Sequence, residues 1–284
     1  MINALLLSSA VAVIALQAVI KKYYNGITSD RGAFTFNAVF AVAACAFFVV
    51  LSGFDLEFKA ELIPYSLLFS VGYGGAIIGA FLAIKYGSLS LSSLVLSYSL
   101  LVPTAYGLVF LDERLSVFLV IGLILLSISL FLINSKKGDG KITFVWVIWA
   151  AASFVCNGAC ATVQLVQQKS FDGAYKNEFM IIALVIVAIA LFIISAFMEK
   201  GDIKFTLKKG WWLMVICGVA NGAANLFIMM LNVRMKASIM YPVVSAGGII
   251  LTWVVSRFLY REKLTAKQNM ALILGSIAVV FMNI

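Results

Sequence analysis

The stretch ERLSVFLVIGLILLSISLFLIN, residues 113–134, is written a second time as EKLTAKQNMALILGSIAVVFMN, residues 262–283. A shift of 149 positions superposes the two, and eight of the 22 residues coincide: Glu113/Glu262, Leu115/Leu264, Leu123/Leu272, Ile124/Ile273, Leu125/Leu274, Ser127/Ser276, Ile128/Ile277 and Asn134/Asn283. Each copy follows a long apolar run and contains another. The same acidic turn between two apolar helices therefore occurs once near the middle of the chain and once near its end. A repeat at half the chain length sets the architecture.

The composition around it fixes the solvent. The 284 residues are 63% hydrophobic and 12% charged, with a mean hydropathy of +1.08. A soluble domain carries roughly 25% charged residues, so the chain belongs in a bilayer. Residues 2–20 read as a first span, because no basic segment or small-residue cleavage site frames them as a leader. Cys45, Cys156, Cys160 and Cys217 all lie in apolar runs and read as small core residues. Cys156 and Cys160 share a helix face, but the chain has no histidine, which argues against a zinc site.

About 20 apolar residues cross a bilayer as a helix. Ten segments qualify: 2–20, 33–52, 62–84, 88–110, 116–134, 143–166, 179–198, 211–233, 237–259 and 267–283. A span must satisfy its backbone internally, so the expectation is an all-α polytopic membrane protein. The repeat extends through it. A shift of 147 pairs Gln17 with Gln164, Val19 with Val166, Lys22 with Lys169 and Gly26 with Gly173, and a shift of 149 pairs Lys85 with Arg234. The halves are residues 1–138 and 139–284, five helices each. An odd number of spans per half makes the second half enter from the opposite side, so the two are inverted repeats. Transporters are often built this way, with a site near midplane.

Charge placement gives an orientation. Loops on the N-terminal side hold Lys59, Arg114, Lys169, Lys176, Arg234 and Lys236; the opposite side holds the remaining 15 of the 21 Lys and Arg. The positive-inside rule puts the richer side in the cytoplasm and both termini outside. The net charge of +9 then reports topology and contact with anionic lipid head groups. No basic domain exists to bind nucleic acid.

All twelve Asp and Glu fall in loops or at span edges, so no midplane carboxylate can carry a proton or cation. No phosphate-binding Gly-Lys-Ser/Thr loop and no Ser/His/Asp or Cys/His set can be assembled. Neither an enzyme nor a cofactor is expected. What the spans do hold is neutral polarity. Span 4 carries Ser92, Ser93, Ser97, Tyr98, Ser99 and Thr104; span 6 Ser153, Asn157, Thr162 and Gln164; span 8 Asn221, Asn225 and Asn232; span 9 Tyr241 and Ser245. Asn221 and Asn225, four apart, share one face. Hydroxyls and glycines, such as Gly72, Gly74, Gly75, Gly247 and Gly248, also serve helix packing in membranes. An asparagine left in lipid is costlier and must face a partner or water.

Pro103 in span 4 and Pro242 in span 9 each remove a backbone bond and kink or interrupt a helix. They are ten residues out of register, since Pro103 aligns with Thr252. Lys85 and Arg234, repeat mates at opposite faces, read either as snorkelling span ends or as basic thresholds at a pathway entrance.

Ten spans, two five-span repeats and a Glu-Arg/Lys-Leu-Ser/Thr turn closing spans 4 and 9 resemble the drug/metabolite transporter superfamily, in particular its bacterial EamA-type members. The resemblance covers the whole chain. Glu113, Leu115, Ser116 and Gly122 carry it in the first half, and Glu262, Leu264, Thr265 and Gly275 in the second. It implies secondary transport of small organic solutes, often export of amino acids or other metabolites, through a cavity lined by spans 1, 3, 4, 6, 8 and 9. It also implies a bacterial inner membrane and termini in the cytoplasm, opposite to the charge bias. The small multidrug members carry a glutamate in span 1; here that span has Ser8, Ser9 and Gln17 and no acid, which disfavours proton-coupled efflux of cationic drugs.

The reading is a transporter of a small neutral, zwitterionic or anionic metabolite, working by alternating access. Its expected solute site is Tyr98, Asn157, Asn221, Asn225 and Tyr241, supported by Gln17 and Ser93. The partners are the solute and the lipid bilayer, with no metal. The rival reading is a non-transporting membrane scaffold or receptor subunit, which gains nothing from inverted halves.

Overall fold

A computed structural model describes residues 2–86, 92, 95–96, 98–114, 116–134, 143–260 and 266–282. Ser93, the basic residues 136, 137 and 141, and the second acidic turn at 261–265 lie outside the described residues. Among the described residues there is helix and no strand. The helices are α1 (Ile2–Thr28), α2 (Ala33–Leu51), α3 (Leu62–Tyr86), α4 (Leu101–Phe110), α5 (Val117–Asn134), α6 (Phe144–Ser170), α7 (Lys176–Met198), α8 (Ile203–Arg234), α9 (Ala237–Tyr260) and α10 (Ala266–Met282).

Among the described residues six of them, α1, α2, α3, α6, α7 and α8, are long and apolar enough to cross a membrane. Their burial shows that water is not the solvent. The most apolar window of α7 has a mean hydropathy of 3.2, yet only 50% of it is buried; for α1 the share is 22%. Ile189, Phe192, Ile193 and Phe197 of α7 are exposed. In water each square ångström of such surface would cost about 25 cal/mol; against acyl chains it costs nothing. The protein is an integral membrane protein with several helical crossings.

The chain forms two compact units: Met1–Ser70 with Val166–Val233, and Val71–Leu165 with Arg234–Ile284. Each draws helices from both sequence halves, so the compact units and the repeat halves are different divisions of the chain.

In the first unit α2 packs against α7. Helix ends leave backbone N–H groups without partners inside the helix, and at the start of α2 a carboxylate supplies the acceptors. Glu199, at the end of α7, accepts from the N–H of Phe34 and of Thr35, both at 2.8 Å, and from the Thr35 hydroxyl at 2.7 Å. Gly32 opens α2 at φ +74°, and a Cβ there would lie 2.4 Å from Thr206 Cγ2, so no side chain fits. Ser66 and Ser70 of α3 donate to the carbonyls of Phe179 and Ala183 in α7.

In the second unit α5 packs on α10, and α9 packs on α4, α5 and α10. Gly72 and Gly75 remove side chains where α3 meets α6. A Cβ on Gly72 would stand 2.9 Å from the Cys156 carbonyl oxygen and one on Gly75 2.7 Å from Cys156 Sγ, whereas Gly74 faces open space. The four cysteines are free thiols. Glu113 repeats the device of Glu199: its Oε1 and Oε2 accept from the N–H of Ala237 and Ser238, each at 2.8 Å, at the start of α9.

The two prolines behave differently. Pro103 has no N–H to give the carbonyl of Ser99. The Val102 N–H takes that carbonyl instead at 3.0 Å, one residue early, and Thr104 Oγ1 donates to the Leu100 carbonyl at 2.9 Å. Ser99 and Leu100 form a turn, and α4 begins at Leu101. Pro242 sits inside α9, which continues through it.

Candidate functional site

The polar groups of the first unit form a relay. Asn225 Nδ2 donates to Asn221 Oδ1 at 3.0 Å and to the Asn221 carbonyl at 3.0 Å. Asn221 Nδ2 donates in turn to Gln17 Oε1 at 3.3 Å, across from α8 to α1. Both asparagines are half-buried and Gln17 is buried. Each amide NH2 points to the next amide oxygen, so the dipoles add and the relay ends on the NH2 of Gln17. Depth follows from helix geometry. Asn221 lies ten residues past Trp211, where the apolar part of α8 begins, about 15 Å at 1.5 Å per residue and half the thickness of a hydrocarbon core of about 30 Å.

In the second unit each described residue of the expected set bonds to a group outside that set. Asn157 Nδ2 donates to Ser99 Oγ at 2.5 Å, in the break before α4. Gly158 lets α6 approach that break: a Cβ there would be 2.9 Å from the Ser99 carbonyl oxygen and 2.5 Å from Val102 Cγ2. Tyr98 donates to the Ser127 carbonyl at 2.7 Å, and Tyr241 to the Ala161 carbonyl at 3.0 Å. Tyr98, Ser127, Pro242 and Ser245 border a cavity of about 10 Å³. That is room for about one water and excludes an organic solute. Ser93 is outside the described residues. Lys85 and Arg234 are exposed at the ends of α3 and α8, and Lys85 Nζ lies 5.6 Å from the centroid of the Tyr86 ring. Exposure at a helix end is what both the snorkelling and the pathway-entrance readings of these two residues require.

Gln17, Asn221 and Asn225 are thus brought together, while Asn157 pairs with Ser99, one of the span 4 hydroxyls outside the expected solute site. The most buried asparagine among the described residues is also not one of the expected set. Asn232 is fully buried, and neither its Nδ2 nor its Oδ1 has a hydrogen-bond partner among the described residues. No group of three or more Cys, Asp or Glu is placed to hold a metal among the described residues.

No family model matches the chain and no curated protein does. A solved structure described as "Crystal structure of protein" does match. Its TM-score is 0.78 over 99% of this chain and 96% of that one, at 13% sequence identity. At that identity the likeness is one of fold over nearly the whole length of both chains.

Proposed function

We propose that this protein is a secondary transporter of a small zwitterionic or anionic metabolite, with amino-acid-like solutes favoured and neutral ones admitted. In this reading ten helices cross the membrane as two inverted five-helix repeats. Solute moves by alternating access, and no covalent chemistry takes place. The resemblance to EamA-type drug/metabolite transporters supports a bacterial inner membrane; the charge bias supports termini outside.

The observation that carries the proposal is the Asn225–Asn221–Gln17 relay at mid-bilayer depth. Neutral amides recognise a carboxylate without placing a fixed charge in the membrane, where an uncompensated one is costly. Aligned donation makes the terminal Gln17 NH2 a polarised donor, suited to a carboxylate oxygen. The helix break at Ser99 supports the same reading, since interrupted helices mark binding regions in transporters.

Purified protein warmed with single amino acids and with their methyl esters tests this. Solutes that bind the native state raise apparent stability. Some free amino acids are expected to raise it and their esters not, and the same solutes should cross proteoliposome membranes. Equal effects of acid and ester would remove the carboxylate from the recognition. Binding without flux would favour a receptor subunit.

A further inference from the structure

Helix α8 is 32 residues long, about 48 Å at 1.5 Å per residue, against a hydrocarbon core of about 30 Å. The excess is at its start. Residues 211–234 alone span about 36 Å, and the two turns before them carry Lys204, Lys208 and Lys209. Lys204, Lys208, Trp211, Trp212, Val215 and Val219 recur at intervals of three and four, so they form one stripe of the helix. The stripe is open. Lys204 and Lys208 on it are exposed, as is Lys209 beside it, whose Nζ lies 5.6 Å from the centroid of the Phe205 ring, and Trp211 and Trp212 keep 58% and 44% of their surface accessible.

The carboxylates just before this stripe are engaged elsewhere. Glu199 is buried against the N-terminus of α2, and Asp202 pairs with Arg31 at 3.5 Å. The lysines therefore present positive charge with no neighbouring acid on their own turns. Deeper along the stripe, Val215 and Val219 join Ala43, Phe47 and Val50 of α2 around an apolar groove of about 390 Å³. Lys208 precedes Trp211 by three residues, a rise of about 5 Å. The headgroup layer of one leaflet is about 5–8 Å thick, so lysines and tryptophans match the phosphate and glycerol levels of a single lipid.

We propose that this stripe binds one anionic diacyl phospholipid. Lys204, Lys208 and Lys209 hold the phosphate, Trp211 and Trp212 pack at the glycerol level, and an acyl chain lies in the groove beside Val219. The choline of a zwitterionic lipid cancels the phosphate charge, so the site selects net negative head groups. This site lies within the first compact unit and is independent of the transport reading.

Native mass spectrometry tests it on protein equilibrated in micelles with equal phosphatidylglycerol and phosphatidylcholine. Wild type should retain phosphatidylglycerol over phosphatidylcholine by about fivefold or more, since one lysine near a charged lipid surface is worth about that factor. Lys204→Gln/Lys208→Gln/Lys209→Gln should bring the two lipids level, and Lys208→Gln alone should reduce the ratio by a smaller step. Lys59→Gln/Lys236→Gln/Lys267→Gln removes equal charge elsewhere and should keep the wild-type ratio. Val219→Trp fills the groove and should lower the bound phosphatidylglycerol. A triple α8 variant that keeps its preference overturns the site. So does a control variant that loses it equally, which would assign the effect to net charge. Unchanged lipid retention in Val219→Trp overturns the groove as the acyl seat.

Discussion

Glu113 Oε1 accepts the backbone N–H of Ala237 at 2.8 Å, and its second oxygen accepts that of Ser238 at the same distance. The acidic turn after α4 thereby caps α9, a helix 124 residues further along the chain. A negative charge at a helix N-terminus gains from both the free N–H groups and the helix dipole. Glu113→Ala should lower unfolding stability in detergent by about 2–3 kcal/mol, two charge-assisted bonds being lost and two donors left bare. Glu113→Gln keeps one acceptor and should lose less. Denaturant unfolding followed by helical ellipticity reads both, and an unchanged midpoint in Glu113→Ala would show that the cap contributes nothing.

The approach of α6 to the break before α4 gives a paired test. A Cβ on Gly158 meets Val102 Cγ2 at 2.5 Å and the Ser99 carbonyl oxygen at 2.9 Å, while one on Gly74 meets nothing within 4 Å. Gly158→Ala should destabilise by about 1–3 kcal/mol, the usual range for overpacking. Gly74→Ala should be neutral or stabilising by up to about 1 kcal/mol, because alanine is the better helix former. Equal effects of the two would mean that α6 does not pack tightly on the break.

Much of the helix layout is legible in the sequence because a bilayer demands long apolar runs, and α1 to α3 and α6 to α8 lie where hydropathy puts them. The boundaries are less so. Helix α8 starts at Ile203 rather than near residue 211, because lysines are good helix formers whether or not lipid surrounds them. Pro103 signals a break, but the break falls at Ser99 and Leu100, since the missing N–H is the one that would have bonded Ser99. Pro242 carries the same signal and α9 runs through it. Long-range partners leave no local trace: nothing around Glu113 points to Ala237. Spacing does reveal the shared face of Asn221 and Asn225. It does not show that the relay continues to Gln17, nor that Asn232 is fully buried.

Topology has its own test. The 15-to-6 division of basic residues puts the Asp112 loop outside and the Lys137 loop in the cytoplasm. Single cysteines at these two positions, in a background without Cys45, Cys156, Cys160 and Cys217, should differ in whole cells. The first should react with an impermeant maleimide, and the second should be protected. The opposite pattern would give the termini-inside arrangement that the family resemblance implies.

Solute binding should be nearly flat between about pH 6 and 8, because the relay is made of amides and no ordinary Asp, Glu or Lys titrates in that window. Equilibrium binding at half-unit pH steps checks this. A tenfold change across the window would bring a carboxylate from a span edge into the recognition.

The most direct measurement compares stability and flux in Asn221→Ala. Asn221 links Asn225 to Gln17 and is half-buried. If the relay reads solute, water replaces the lost amide in the unloaded protein and the melting temperature moves little. Loss of the polarised partner should weaken solute binding by about 1–3 kcal/mol, and flux in proteoliposomes should fall about tenfold or more. A variant that melts well below wild type, yet transports at the wild-type rate once folded, would make the relay a packing contact between α1 and α8 and contradict the proposed recognition.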